Sequence, residues 1–320
     1  MRRKFIKKIK LPNNWAKILC LGVALTLCLK TIKAQQHTDF FTPSPTLNNN
    51  RLVPVLITEG TLYTGSMIGL NLLWYKNYAH SSFHFFNDNK EWLQMDKLGH
   101  MLTAYTIARI TSAAYGWTGI NHYKSNEYGT GLAMAYQTNI EIFDGFSSAW
   151  GFSLGDMLAN CAGASLYLSQ ESGWNEQRVA MKISFHRTEY SQYRPEVLGS
   201  NGLQQTLKDY NGQTYWFAFA IASFLPKGNK VPQWLCLDFG YGAEGMIGGN
   251  ENPPVTDGEG KSLTFDRYRQ FYCSLDVDLT RIQTNSGALK AFLGTISFIK
   301  VPMPTLELSR GKLKFHWLYF

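Results

Sequence analysis

The chain has 320 residues, 45% of them hydrophobic and 14% aromatic, enough for one large domain or two moderate ones with real cores. Its formal net charge of +8 suggests an acidic partner, yet nine Lys and Arg and no acid fall within the first 34 residues, leaving 22 basic against 23 acidic residues downstream. The basicity belongs to the leader, and nucleic acid drops out of the expected partners.

That leader, "MRRKFIKKIKLPNNWAKILCLGVALTLCLKTIKAQQ", reads as a signal peptide over residues 1–34: a basic start, a short apolar run, then Ala34 before a polar stretch. The run "ILCLGVALTLCL" is shorter than the ~20 residues of a membrane span. Cys20 and Cys28 follow Leu19 and Leu27, where a lipoprotein signal wants a small residue, so lipidation is not expected. The protein is therefore expected in the periplasm or outer membrane, and the sequence names no cofactor. Three cysteines survive cleavage, Cys161, Cys236 and Cys273. An odd number argues against a disulfide framework, although Cys236 and Cys273 lie in strand-like runs and could pair or stay free.

Residues 35–50, "QQHTDFFTPSPTLNNN", predict a flexible or surface-draped arm. Residues 51–175 read as a helical domain with four segments, "LITEGTLYTGSMIGLNLLWY", "DKLGHMLTAYTIARITSAAY", "YGTGLAMAYQTNIEIFDGF" and "SLGDMLANCAGASLYLSQ". Each carries a charge, so a buried bundle is favoured over membrane spans. Gly65 and Gly69, and Gly151 and Gly155, have the spacing of closely packed helices.

Residues 176–320 change to period two. In "WLCLDFGYGAEG", Leu235, Leu237, Phe239 and Tyr241 alternate with Cys236, Asp238, Gly240 and Gly242. In "FYCSLDVDLTRI", Phe271, Cys273, Leu275, Val277 and Leu279 alternate with Tyr272, Ser274, Asp276, Asp278 and Thr280. With "TYWFAFAIASF", "AFLGTISFIKV" and "LKFHWLYF" these predict an antiparallel sheet or small β-barrel, making the whole an α+β chain. The acids Asp238, Asp276 and Asp278 suit either a polar barrel interior or the outer side of a sheet packed on the helices. In the last strand Leu313, Phe315, Trp317 and Tyr319 form the apolar set.

The polar residues of the helical half are the candidate site. Asp96 and His100 are i and i+4, with Lys97 between and Tyr105 further along. Glu141 and Asp144 are i and i+3, and Asp156 and Asn160 are i and i+4 behind a Ser153 N-cap. Carboxylates among Ala, Gly and Leu are costly to bury unless paired, metal-bound or functional, so Asp96, His100, Glu141 and Asp156 are expected to converge. Bland roles exist for each: a capped helix start, a satisfied core histidine, acids locked by Lys97 or Arg109. One His among several carboxylates can otherwise hold a divalent cation or move a proton, although without H-E-x-x-H spacing it has little zinc character. No G-x-S-x-G nucleophile elbow is expected, and no P-loop or Rossmann glycine pattern precedes a helix.

The order "DK..H....Y", "E..DG", "WGFS.GD..AN..GA" over roughly residues 52–170 resembles the YfiM-like family of predicted periplasmic lipoproteins, a domain of unknown function, and more distantly the VanZ-like family. The resemblance implies a compact helical envelope domain and no particular reaction. Two functions follow. One is an exported envelope protein associated with the outer membrane, partnered by membrane or envelope lipid. The other is a hydrolase or transferase acting on an envelope lipid or lipid-linked sugar, with Asp96, His100, Glu141 and Asp156 as acid, base or metal ligands, supported by Lys97, Tyr105, Asp144 and Asn160.

Overall fold

The structure, a computed structural model, describes residues 40–256 and 260–319. The leader expectations at residues 1–34 lie outside them. The polar segment before the first helix is draped: Ser44 N–H donates to the Trp117 carbonyl (3.1 Å) and Asn48 N–H to that of Thr118 (2.8 Å). Gly119, at φ +90°, lets this segment pass, because a Cβ there would meet the Thr46 carbonyl at 2.0 Å.

Helix α1 (Asn49–Leu73) starts where the Asn48 side chain accepts from Asn50 N–H, and it buries none of its residues. Its apolar side chains, Leu56, Ile57, Leu62, Ile68 and Leu72 among them, are exposed, and the Tyr115 hydroxyl tethers it by donating to Glu59 (2.8 Å). Helices α2 (Met95–Trp117), α3 (His122–Gly145) and α4 (Leu154–Trp174) pack as a bundle. Small residues permit this. A Cβ on Gly163 of α4 would sit 2.0 Å from the Met101 carbonyl of α2, and one on Gly129 of α3 would sit 2.2 Å from Ser112 Oγ. The close helix contacts are thus made at Gly129 and Gly163. Gly65 and Gly69 have nothing within 4 Å, while Gly151 and Gly155 abut residues 84–97.

The main sheet follows, with strands β1 (Val179–Phe185), β2 (Gln213–Ala220), β3 (Leu235–Glu244), β4 (Tyr268–Val277), β5 (Met303–Ser309) and β6 (Lys312–Tyr319). They pair antiparallel in that order, so the α+β reading holds: a helical half, then an antiparallel sheet. One predicted strand is corrected. "AFLGTISFIKV" is mostly helix α5 (Gly287–Ile296), nucleated by Ser286 accepting from Leu289 N–H.

The sheet curls until its concave face is enclosed. Thr214 of β2 and Tyr319 of β6, with three strands between them, share a hydrogen bond (3.0 Å), and Tyr319 donates on to Tyr272 of β4 (2.7 Å). Lys182 of β1 reaches Asp276 of β4. The free edge of β1 is met by the segment entering β5, since Ile183 N–H donates to the Phe298 carbonyl and Lys300 N–H to that of Ile183. A register shift between Met303 and Thr305 corrects the last strand: His316 and Tyr319 turn inward, whereas Leu313, Phe315, Trp317 and Leu318 stay exposed.

Burial is inverted relative to a soluble sheet. The concave face holds Lys182, Asp238, Asp276, Lys300, Glu307, Ser274 and Thr305, all buried, around Trp216 and Tyr272. The convex face holds Phe239, Phe271, Leu275, Leu306, Leu308 and Phe315, each more than 40% exposed. Its β1–β3 part is covered, where Met181, Tyr215 and Ala243 pack with Met95, Leu102, Tyr105 and Tyr167 of the bundle. Cys236 and Cys273 occupy opposite faces and are free, as is exposed Cys161. Among the described residues no helix is long and apolar enough to cross a membrane.

Candidate functional site

The site begins with an unusual backbone. Trp92, Leu93 and Gln94 all have positive φ (47°, 50°, 67°), a left-handed stretch that costs roughly 1–2 kcal/mol per residue for side chains with a Cβ. Partners from the β half hold it: Trp92 N–H donates to the Gly249 carbonyl, Tyr241 to the Leu93 carbonyl, and Arg269 to the Gln94 side chain. This turn delivers Asp96 into the first turn of α2, where a carboxylate is favoured by the helix dipole. Tyr210, just before β2, donates to Asp96 Oδ1 at 2.5 Å.

Around this start the structure brings together Asp96, Lys97, His100, Glu141, Asp156 and Asn160. Lys97 Nζ lies 2.7 Å from Asp156 Oδ1, 2.7 Å from Asp88 Oδ1 and 3.5 Å from Asp96 Oδ2. His100 Nε2 lies 3.9 Å from Asp96 Oδ1 and 3.8 Å from Asp156 Oδ1. Its Nδ1 lies 3.2 Å from Asn160 Oδ1 and 3.5 Å from Glu141 Oε1. Gln137 Nε2 sits 3.4 Å from Nδ1 but has closer acceptors for both hydrogens, Asn160 Oδ1 (2.6 Å) and the His100 carbonyl (3.2 Å). That network assigns the Nδ1 proton to His100, with Asn160 as its acceptor and Glu141 facing the same nitrogen, and leaves Nε2 facing the two aspartates.

The other candidates lie elsewhere. Asp144 accepts from the Tyr75 hydroxyl (2.8 Å), and Tyr105 is buried with its hydroxyl on Gln177 (3.1 Å). Arg109 donates to the Gly294 carbonyl, so it locks none of these acids.

Electrostatics follow from burial. Glu141 is fully buried, and desolvation outweighs the attraction of His100 and raises its carboxyl to about 8. Burial first, then the charge of Asp96, raises Asp156, and Asp144 is lifted to about 7, again mainly by burial. For Asp88, burial is outweighed by hydrogen bonds from Asp156, Lys97 and Ser153, so its carboxyl is lowered. Lys97, despite burial, is held more firmly charged by Asp96 and Asp156.

Sequence reasoning missed Asp88, Gln137 and part of the role of Ser153. "GFSLG" at 151–155 has the G-x-S-x-G spacing of a nucleophile elbow. Its context differs: Ser153 is buried and caps α4, accepting from Asp156 N–H (3.0 Å) while donating to Asp88 (2.6 Å) and sending its own N–H to Glu141 Oε2 (3.1 Å). Ser153 therefore positions acids.

Residues 84–170 match a family model described as "Predicted periplasmic lipoprotein (DUF2279)", which spans Asp88 and α2 to α4, the elements that build this cluster. The description is that of an exported envelope family and accords with a periplasmic or outer-membrane location. Its word lipoprotein stands against the unsuitable residues before Cys20 and Cys28, which lie outside the described residues. No curated protein and no solved structure matches the chain.

Proposed function

We propose that the chain is an exported cell-envelope protein seated in the outer membrane through the convex side of its sheet, with the helical bundle presenting a charged cluster beside it. One observation carries this reading: a sheet with polar, charged residues buried inside and Phe239, Phe271, Leu308, Phe315 and Trp317 exposed outside. In water that arrangement leaves large apolar side chains solvated, whereas against acyl chains it is the favourable one. The exposed apolar residues of α1 extend the same surface. The YfiM-like and VanZ-like resemblances agree with an envelope setting. The test is flotation of the full chain, purified in detergent, after reconstitution with phospholipid vesicles. The protein should float with the vesicles and resist carbonate, and Lys at both Phe271 and Leu308 should release it. Wild-type protein left in the carbonate supernatant would refute the proposal.

A second reading, a hydrolase or transferase on an envelope lipid or lipid-linked sugar, is favoured by Glu141, raised to about 8 beside His100, a poise suited to proton transfer near neutrality. Asp96→Asn and His100→Ala variants that fold yet lose a biological function kept by a surface substitution would support it. Full activity in both would remove it.

A further inference from the structure

The cluster at the start of α2 is overloaded with acid. Asp88, Asp96 and Asp156 surround one ammonium, that of Lys97, and Asp88 and Asp156 are close enough to hydrogen-bond each other. Behind His100 stands a fourth carboxyl, Glu141, wholly buried, whose Oε1 accepts no hydrogen bond and is aimed at the imidazole. A single lysine cannot neutralise this set.

We propose that Asp96, His100 and Asp156 form a binding site for one divalent first-row cation, Mn²⁺ or Zn²⁺. Asp96, His100 and Asp156 each offer a ligand atom, all within 4.8 Å of one another. Bonds of ~2.0–2.2 Å to one ion place neighbouring donors roughly 3–4 Å apart. The separations from His100 Nε2, 3.9 Å to Asp96 and 3.8 Å to Asp156, are too long for hydrogen bonds but match two donors sharing an ion.

The imidazole is prepared for this. With its proton on Nδ1 directed to Asn160 Oδ1, and Glu141 beside that nitrogen, the lone pair of Nε2 points at two carboxyl oxygens, an arrangement that suits a cation between them. A carboxylate behind a ligating histidine is the usual device that fixes its tautomer and raises its basicity, so Glu141 acts as a positioning residue. Two carboxylates with one imidazole favour ions of intermediate hardness over Mg²⁺ or Ca²⁺, which prefer all-oxygen sets. Lys97 is the resident competitor. It can yield Asp156 to the ion and keep Asp88, to which it is equally close.

The experiment uses the full chain purified in detergent, stripped with chelator and titrated with MnCl₂ or ZnCl₂ by calorimetry, with Mn²⁺ also followed by electron paramagnetic resonance. One equivalent should bind. Affinity should fall at least tenfold in His100→Ala and Asp156→Asn, and about 10–100-fold in Glu141→Gln. In Lys97→Gln it should rise, a gain that misfolding cannot produce. The nitrogen hyperfine coupling of bound Mn²⁺ should vanish in His100→Ala. No saturable binding by folded wild-type protein overturns the proposal, as does binding that His100→Ala and Asp156→Asn leave unchanged. Binding seen only in Lys97→Gln also overturns it, since Lys97 would then be the permanent cation.

Discussion

Phe271 of β4 and Leu308 of β5 are directly paired in the sheet, and both point outward, 51% and 49% exposed. Replacing each by Lys discriminates between lipid and water at this surface. Against acyl chains near the bilayer middle, a Lys on the outer face of a strand costs roughly 2–4 kcal/mol, less towards the interfaces. Against water, a substitution at a half-exposed site away from caps and networks stays within about 0.5 kcal/mol. The paired control is Ser274 with Thr305, on the concave face, whose hydroxyls share a 2.8 Å hydrogen bond in a buried setting. Thr305→Val leaves Ser274 without that donor and should cost about 1–3 kcal/mol in either medium. Urea unfolding of vesicle-reconstituted and detergent-free protein gives both numbers. The reasoning is refuted if Phe271→Lys and Leu308→Lys are neutral in vesicles while Thr305→Val is destabilising, because the convex face would then be an ordinary wet surface.

Three further outcomes follow from single contacts. Gly163→Ala should destabilise by about 1–3 kcal/mol in thermal melts, because its Cβ would strike the Met101 backbone at 2.0 Å and push α4 from α2. Ser153→Ala removes the cap of α4 and the hydroxyl on Asp88, lowering stability by about 1–2 kcal/mol. Asp144 keeps its proton to about pH 7, mainly through burial, while the unfolded chain releases it near the ordinary value of 3.8. Its contribution is thus fully present below pH 3.8 and is lost as pH rises to about 7, by at most about 4 kcal/mol. Asp144→Asn should flatten that slope in denaturant titrations at pH 4 to 8, and an unchanged slope would refute the assignment.

Much of this was legible because period and chemistry agree. The two alternating runs became β3 and β4 in mutual register, Leu237 opposite Leu275 and Asp238 opposite Ser274. The burial of their polar side was not legible. Alternation shows that two faces differ, and only the curvature that brings Thr214 to Tyr319 shows which one is enclosed. Helix α5 was misread because a short apolar run with β-branched residues suits either state, and its cap Ser286 decided. Asp96, His100, Glu141 and Asp156 could be grouped from helical spacing and the cost of buried charge. Asp88 could not, since it sits in an irregular loop with no periodicity to aim it. Asp144 shares a helix with Glu141, yet three residues turn it far enough to meet Tyr75 instead.

The central claim is that lipid covers the convex face of the sheet, and the most direct measurement is acyl-chain quenching of a fluorophore placed there. In a background with Cys161 and Cys273 replaced by Ser, a bimane label on Leu308→Cys or Phe315→Cys should be quenched strongly in vesicles of brominated phospholipid. A label on Lys227→Cys, in the loop after β2, should be quenched far less. Equal, weak quenching at all three sites, in protein that floats with the vesicles, would mean that the convex face lies outside the bilayer and would contradict the account.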